Sequence, residues 1–223
     1  MSEKDLFEIE SSFPFLKDIS EYDREFVREK LMFKQFKKGE NLHNSTECTG
    51  VILIKSGALR VYLLSEDGKE ITLYRLHKGD VCMLSASCVL HAITFDVFVD
   101  AESDSECYIL SGCAFSTLCD LYPQVKIYAL ETALSRFSDV MWIMQQILFM
   151  SFDKRLAIFL LDELNENGGE NVNLTHEQIA KHLGSAREVV SRMLKYFSTE
   201  GLVEVSRKGV RVLDKNRLYK LTL

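Results

Sequence analysis

The chain has 223 residues, of which 47% are hydrophobic and 27% are charged, so it can bury the core of one large domain or two modest ones. This composition excludes disordered and collagen-like proteins. The 27 Lys and Arg against 33 Asp and Glu give a net charge of −6, which taken alone argues against a nucleic-acid partner.

The charge is distributed unevenly along the chain. Residues 1–180 contain 17 basic and 29 acidic side chains, a net charge of −12, whereas residues 181–223 contain 10 basic and 4 acidic side chains, a net charge of +6. The last fifth of the chain is therefore predicted to be a basic module on an acidic body.

The first residues, MSEKDLFEIE, are acidic and lack the basic stretch and apolar segment of a secretory signal. The sequence also has no apolar run of about 18 residues that would span a bilayer. We therefore expect a cytoplasmic protein without membrane contact, in which disulfides are the exception. All the cysteines lie in the first 119 residues: Cys48, Cys82, Cys88, Cys107, Cys113 and Cys119.

Residues 31–111 are rich in Val, Ile, Leu, Tyr and Phe and are interrupted by recurring glycines, which predicts the short strands of a β-sandwich or jelly roll. Asp67-Gly68 joins two apolar runs and predicts a two-residue type I′ hairpin. Residues 93–101 alternate in the same way. Ser111 is then expected to cap a short helix that ends near Leu121.

After Pro123 a helical period continues to about Met150. Apolar residues recur there in alternating steps of three and four, as at the a and d positions of a coiled coil. They are Ile127, Leu130, Leu134, Phe137, Met141, Met144 and Leu148. This stripe predicts a dimerisation helix, and the alternative is an amphipathic helix buried within one chain.

The basic module contains the signals of a helix-turn-helix. A helix over residues 153–165 and a polar loop over residues 166–173 come first. Residues 175–178, Thr-His-Glu-Gln, form a capping box that starts a helix, and Gly184 is suited to end it in a tight turn.

A second capping box over residues 185–188 predicts another helix, to about Thr199. Its buried stripe consists of Val190, Met193, Leu194 and Phe197, and its opposite face carries Arg187, Glu188, Ser191, Arg192 and Lys195. Arginine donates two parallel hydrogen bonds to guanine and a carboxylate accepts from cytosine, so this face suits the major groove of DNA. The alternative is a solvated face with ordinary i,i+4 salt bridges.

Residues 202–214 predict a hairpin whose tip, Arg207-Lys208-Gly209, is basic, like a wing that contacts phosphates. Two capped helices, a glycine turn, a wing and a positive charge occur together here. This combination favours DNA binding over the solvated face.

The sequence resembles the CRP/FNR family of bacterial transcription regulators over essentially its whole length. The resemblance is carried by Phe36-Lys37-Lys38-Gly39-Glu40, Leu53-Ile54-Lys55-Ser56-Gly57, Gly79-Asp80 and, most specifically, by Ile179-Ala180, Gly184 and Arg187-Glu188-Val189-Val190-Ser191-Arg192. It implies an α+β protein with an N-terminal β-roll or jelly-roll sensor domain (1–122), a long dimerisation helix (123–150) and a C-terminal winged helix-turn-helix (151–223).

The resemblance also implies a function. The protein should be a homodimeric regulator rather than an enzyme, which binds an inverted-repeat operator in double-stranded DNA and acts with RNA polymerase. The half-sites should contain a TGA-type core. By position, the base-reading residues are Arg187, Glu188, Ser191 and Arg192, and the phosphate contacts are Thr175, Lys195, Arg207 and Lys208.

The sensor departs from the cyclic-nucleotide-binding members of this family. Met83-Leu84 stands where they have the Gly-Glu that reads the ribose, and no Arg lies between Arg75 and Arg136 to hold the cyclic phosphate. Cyclic AMP is therefore not the expected effector. The cysteine cluster of oxygen-sensing FNR proteins is absent as well, because residues 1–47 contain no Cys.

An effector pocket is still expected in this segment, formed by Cys82, Ser85, Ser87, Cys88 and His91. One hypothesis is a haem or thiol-redox sensor, in which a histidine or cysteine of this set is an axial ligand or reactive thiolate. The other is that the cysteines pack as small hydrophobic residues. The remaining histidines are interpreted as a solvated strand-end residue, His77, and as surface residues without chemistry, His43, His176 and His182.

Two other functions remain as alternatives. The roll could be an effector-free scaffold or a protein-interaction surface attached to the same DNA-binding module. A cupin-like metalloenzyme is the more remote alternative, because it needs clustered histidines, typically an H-x-H pair, and the five histidines here are isolated. No metal site is predicted.

Overall fold

The computed structural model describes residues 3–44, 48–86, 96–206 and 208–223. The chain forms two compact units: Met1–Leu63 with Leu73–Val140, and Leu64–Thr72 with Met141–Leu223. The predicted α+β class, with an N-terminal β-roll and a C-terminal winged helix-turn-helix, is confirmed. The domain limits 1–122, 123–150 and 151–223 stay a prediction.

The first unit begins with two helices that were not predicted from the sequence. Helix α1 spans Glu3–Ser12 and α2 spans Glu21–Lys30, with a 3-10 turn at Pro14–Lys17 between them. The Ser20 side chain accepts a hydrogen bond from the Asp23 amide and so caps α2.

Within the described residues, the β-roll forms two four-stranded sheets, with strand orders β1-β8-β3-β6 and β2-β7-β4-β5. The strands are β1 (Leu31–Phe36), β2 (Asn41–His43), β3 (Val51–Ser56), β4 (Ala58–Leu64), β5 (Glu70–His77), β6 (Val81–Cys82), β7 (Phe98–Ala101) and β8 (Ser105–Leu110). The predicted strands within residues 31–111 are therefore present. Of the alternating segment 93–101, residues 93–95 lie outside the described residues.

Strand β3 is buried on both faces. Ile52 and Ile54 belong to a core cluster with residues of both sheets, whereas Val51 and Leu53 belong to a second cluster with the N-terminal helices. Successive side chains of a strand point to opposite faces, so a strand buried on both reads as a continuous apolar run. This explains why the sequence Val-Ile-Leu-Ile shows no alternation.

The hairpin between β4 and β5 is present, but its predicted type I′ turn is wrong. The Gly68 amide donates to Ser65 O over 2.9 Å, and Gly68 has φ +76°. Throughout the described ranges no other residue type has a positive φ, so Asp67 keeps a negative one. A type I′ turn needs positive φ at both central residues, which costs a side chain about 1–2 kcal/mol. The longer Ser65–Gly68 turn assigns the left-handed position to glycine alone.

Two helices follow the roll. Ser111 caps α3 (Gly112–Leu121) by accepting from the Ala114 amide, as predicted. Helix α4 spans Pro123–Phe149 in 27 residues, which agrees with the predicted long helix.

Within its described residues, the second unit contains the end of α4, four further helices and a three-stranded sheet of order β10-β11-β9. The elements are α5 (Phe152–Asn167), β9 (Asn171–Val172), α6 (His176–Leu183), α7 (Arg187–Thr199), β10 (Val203–Ser206), β11 (Gly209–Val212) and α8 (Lys215–Lys220). Its core joins apolar residues of α5, both helices of the helix-turn-helix and the wing. Strand β9 lies in the segment that the sequence predicted to be loop.

The tip of the β4–β5 hairpin, Leu64–Thr72, belongs to this second unit. Thr72 Oγ1 lies 2.9 Å from His182 Nδ1, and Lys181 Nζ lies 2.7 Å from Glu70 Oε1. His182 also stacks on Phe159, with ring centroids 5.3 Å apart. The interpretation of His182 as a surface residue is therefore wrong, because its ring is buried between polar and aromatic partners. His43 is buried too, with Nδ1 2.9 Å from Thr49 Oγ1.

Alanine at Gly184 is expected to destabilise the protein more than alanine at Gly168. Both glycines end helices in the left-handed region, with φ +60° and +66°, where a side chain costs about 1–2 kcal/mol. A Cβ at Gly184 would also lie 2.8 Å from Ile71 Cδ1, whereas a Cβ at Gly168 would have nothing within 4 Å. Overpacking against Ile71 adds about 1 kcal/mol. Urea unfolding of the Gly184→Ala and Gly168→Ala proteins measures this difference in stability. In an Ile71→Ala background the additional loss at Gly184 should disappear. Equal unfolding midpoints of the two glycine variants in the parent background would contradict the contact with Ile71.

Candidate nucleic-acid interface

Helix α6 begins as the sequence predicts. The Thr175 amide donates to Gln178 Oε1 over 2.8 Å, and the Gln178 amide donates to Thr175 Oγ1 over 3.2 Å, which completes the capping box. Gly184 ends the helix in the left-handed conformation, and its amide donates to Ala180 O. The Arg155 guanidinium donates to Leu183 O at the same helix end.

Helix α7 starts at Arg187, and the predicted capping box over residues 185–188 is wrong. The first residue whose carbonyl accepts an i→i−4 bond is Ala186, from the Val190 amide, so Ala186 is the cap and offers no side-chain oxygen. Val189 then occupies the position that a capping box gives to Glu or Gln. The amides of the first turn of α7 consequently receive no side-chain cap from Ala186.

Helix α7 is amphipathic in the predicted sense. Val190, Leu194 and Phe197 are fully buried against the core. The opposite face presents four exposed residues and one half-buried residue, which are Arg187, Glu188, Arg192 and Lys195, and Ser191. All four predicted base-reading residues and Lys195 thus lie on one outward face of a helix that is anchored from behind.

A histidine that the sequence did not single out lies next to this face. His176 Nδ1 lies 2.8 Å from Ser191 Oγ, which joins the first residue of α6 to the middle of α7. Burial, and then the charge of Arg187, lower the pKa of His176. The sequence predicts His176 to be a surface residue without chemistry, whereas the structure shows it half-buried and within hydrogen-bond distance of Ser191.

The wing is a hairpin of β10 and β11, and β11 also pairs with β9. Exposed Lys208 follows β10, and its amide donates to Ser206 Oγ over 3.1 Å. Arg207, the other predicted phosphate contact at the tip, lies outside the described residues. Thr175, the fourth residue of that set, is exposed at the start of α6.

The predicted dimer stripe on α4 is exposed in the single chain. Its seven side chains are between 43% and 65% exposed, and they are Ile127, Leu130, Leu134, Phe137, Met141, Met144 and Leu148. The alternative of an amphipathic helix buried within one chain does not account for this stripe. A contiguous apolar surface of this kind is typical of a protein interface.

Only part of the predicted effector pocket can be placed. Cys82 and Ser85 are fully buried, and Ser85 Oγ donates to Gly50 O over 2.6 Å. Ser87, Cys88 and His91 lie outside the described residues. Cys48 is disulfide-bonded, which is an exception to the reduced state that the sequence suggested.

Arg136 of α4 contacts Asp80, which lies in the segment after Arg75 that contains no arginine. Its Nη2 lies 3.2 Å from Asp80 Oδ1, and its Nη1 lies 3.2 Å from Asp139 Oδ2. The guanidinium lies over the Tyr74 ring, 5.2 Å from the centroid. Sequence reasoning missed this cluster because 56 residues separate Arg136 from Asp80.

The free cysteines are expected to differ in reactivity. Burial raises the pKa of Cys107 to about 12 and that of Cys119 to about 11, and it also raises the pKa of Cys82. The thiolate is the nucleophile, so these three thiols should be slow to alkylate at neutral pH, whereas exposed Cys113 should react at once. Peptide mapping after a short iodoacetamide pulse measures this, with urea-unfolded protein as the control. Rapid labelling of Cys82 or Cys107 in the folded protein would contradict the burial.

The described residues contain neither a metal-binding group nor a membrane-spanning helix. No group of three or more His, Cys, Asp or Glu in that part of the chain is placed to hold a metal ion. Nor does any helix there combine the length and apolarity needed to cross a membrane.

Comparison with known proteins finds the same two modules. Residues 33–122 match the family model of a cyclic nucleotide-binding domain, and residues 154–221 match that of a Crp-like helix-turn-helix domain. The chain is 44% identical to a protein from Eubacterium rectale assigned to the crp/fnr family, whose crystal structure superposes with a TM-score of 0.91 over 95% of this chain and 98% of that chain.

Curated relatives include the Electron transport regulator A of Shewanella oneidensis, which is 27% identical over 93% of this chain and 85% of that protein. The Transcriptional activator protein FnrA of Stutzerimonas stutzeri is also 27% identical, over 84% of this chain and 79% of that protein.

Proposed function

The chain belongs to the CRP/FNR family of DNA-binding transcription regulators, and on this premise we propose that it is a cytoplasmic homodimer that binds an inverted-repeat operator under the control of an effector at the β-roll. RNA polymerase is the proposed protein partner, and the chain acts as a regulator rather than as an enzyme.

The outward face of α7 is the observation that carries this proposal. Arg187 and Arg192 present planar donors suited to the O6 and N7 of guanine, and the Glu188 carboxylate is suited to the N4 amino group of cytosine. These side chains project from the first two turns of a helix whose other face is buried. This is the end of a recognition helix that contacts base edges in the major groove.

The proposed phosphate contacts belong to α6, α7 and the wing. Thr175 starts the neighbouring helix, Lys195 lies one turn further along α7, and Lys208 lies at the wing. Arg207 belongs to this proposed set by its place in the sequence. Such contacts orient the protein on the duplex without reading its sequence.

The homodimer is supported by the exposed stripe on α4. Seven apolar side chains at a and d spacing match a parallel partner helix of the same sequence. Two recognition helices in such a dimer would enter successive major grooves about 34 Å apart.

The proposed function is tested by selecting operators from a random duplex library with the full-length protein. We expect an inverted repeat with half-sites of the TGA type and about one helical turn between their centres. The logarithm of the association constant should fall with the logarithm of the salt concentration, by about 0.9 for each phosphate contacted. Failure to enrich any symmetric sequence would reject the proposal.

The effector site is proposed at Cys82, Ser85, Ser87, Cys88 and His91, and we propose that its ligand is not cyclic AMP. Buried Met83-Leu84 stands where the cyclic-nucleotide-binding members have the Gly-Glu that reads the ribose. Adding cyclic AMP should leave the operator affinity unchanged. A Soret shift on adding haem, or a change of affinity between oxidised and reduced protein, would identify the class of effector. If neither change occurs, the result favours an effector-free roll.

A further inference from the structure

We propose that His176 positions the base-reading Ser191 and that operator binding takes up a proton at His176, so that the affinity for DNA rises as the pH falls. This inference rests on the proposed function, because it concerns how that interface works. It adds a residue outside the predicted base-reading set.

The position of His176 supports this role. It is the first residue of α6, directly after the capping residue Thr175, at the helix end that lies beside the outward face of α7. Its Nδ1 lies 2.8 Å from Ser191 Oγ. A serine hydroxyl otherwise has three staggered rotamers to choose from, and this hydrogen bond selects one of them. His176 therefore fixes where the hydroxyl points.

The same hydrogen bond determines what Ser191 can offer to a base. When the neutral ring accepts at Nδ1, the hydroxyl donates its proton to His176 and presents lone pairs to a base amino group. When the ring is protonated, Nδ1–H donates, and the hydroxyl proton becomes available for a base acceptor such as a carbonyl or ring nitrogen. When His176 is protonated, the Ser191 hydroxyl is therefore free to donate a hydrogen bond to DNA.

The electrostatic surroundings of His176 should become more negative when DNA binds. In the free protein partial burial, together with the charge of Arg187, lowers the pKa of His176 and favours the neutral ring. Other charged groups on the same two helices are Glu188 and Arg192, which follow Arg187 on α7, and Glu177 and Lys181 on α6. DNA phosphates add negative potential and pair with the arginines. Both changes favour the imidazolium and raise the pKa of His176.

Linkage then gives the direction of the effect. A group that binds a proton more tightly in the complex makes the association constant increase as the pH falls, by at most tenfold per pH unit for each protomer. Between pH 8 and pH 6 we expect a dimer to bind its operator about tenfold more tightly at the lower pH, since each protomer gains about threefold.

The experiment measures operator affinity by fluorescence anisotropy at pH 6, 7 and 8 with constant ionic strength and full-length protein. The variant His176→Gln keeps a hydrogen-bonding group for Ser191 but cannot gain a proton in this range. It should bind at pH 8 within about threefold of the parent protein and lose the pH dependence. His77→Gln, at an exposed histidine at the end of β5, is the matched control and should keep the full pH dependence.

A second measurement separates positioning from folding. His176→Ala should relax base preference at the same operator position as Ser191→Ala, and the double variant should relax it no further, because both changes remove one hydrogen-bonded unit. His176→Gln should restore the preference that His176→Ala loses. A structural defect alone would instead weaken binding to all sequences equally.

The outcomes are distinguishable. If an operator is selected but the parent protein binds it equally at every pH, or if His176→Gln keeps the pH dependence, the inference is wrong and the proposed function stands. If no operator is selected, the proposed function fails, and the inference fails with it.

Discussion

Replacing Arg192 with alanine should weaken operator binding strongly. A bidentate arginine–guanine contact contributes about 1–3 kcal/mol of discrimination, and a homodimer makes it twice, so the loss should reach about 2–6 kcal/mol. We expect a decrease in affinity of about 30-fold or more at 25 °C, concentrated on operators that carry the preferred base. Competition binding with operators substituted at each position measures it.

Two comparisons isolate the effect of Arg192. Lys195→Ala should weaken binding to all sequences alike and reduce the salt slope by about one phosphate per protomer. Arg24→Ala, in α2 of the first unit, removes an arginine remote in sequence from the helix-turn-helix and should leave DNA binding unchanged. If Arg192→Ala discriminates between operators as the parent protein does, Arg192 does not read a base.

Placing an aspartate at Leu134 is expected to abolish the dimer. Leu134 lies in the middle of the exposed stripe of α4 and is 65% exposed in the single chain. In the proposed dimer it would be buried against the partner helix, where an unpaired carboxylate is strongly disfavoured. A protomer that binds one half-site loses the contribution of the second, so operator affinity should fall towards the non-specific range, by about a thousandfold.

Light scattering measures the mass, and anisotropy measures the affinity of the same samples. Ser135→Asp is the matched control, because it adds the same charge at an exposed neighbouring position outside the a and d stripe. Circular dichroism should show that both variants are folded. A Leu134→Asp protein that remains a dimer with parental affinity would refute the assignment of this stripe as the dimer interface.

Much of the fold could be predicted because its signals are local. The strands of the roll, the Ser111 cap, the long α4 and the Thr175 capping box each depend on residues within a few positions of one another. Helices α1 and α2 were missed because what holds them is distant. In α1, for instance, the Ser12 carbonyl accepts a hydrogen bond from the Tyr128 hydroxyl over 2.8 Å, and 116 residues separate the two partners in the chain.

In the candidate interface, too, the features that depend on local sequence were predicted and those that depend on distant contacts were missed. The outward face of α7 followed from helical periodicity, since burial of Val190 and Leu194 dictates which side chains face away. The start of α7 was misplaced because Ser185 offers the side chain of a cap, whereas the chain turns helical one residue later. The bond between His176 and Ser191 depends on how two helices pack, and a spacing of fifteen residues carries no sequence signal.

The hairpin tip at Leu64–Thr72 determines which segments must be transferred together when the DNA-binding unit is moved to another protein. It belongs to the compact unit of the helix-turn-helix, where Glu70 and Thr72 contact Lys181 and His182, although it is encoded between two strands of the roll. A gene fusion that joins residues 141–223 to a foreign sensor would leave both contacts behind. The exchangeable cassette is therefore discontinuous, and recombination between relatives should succeed where both segments come from one parent.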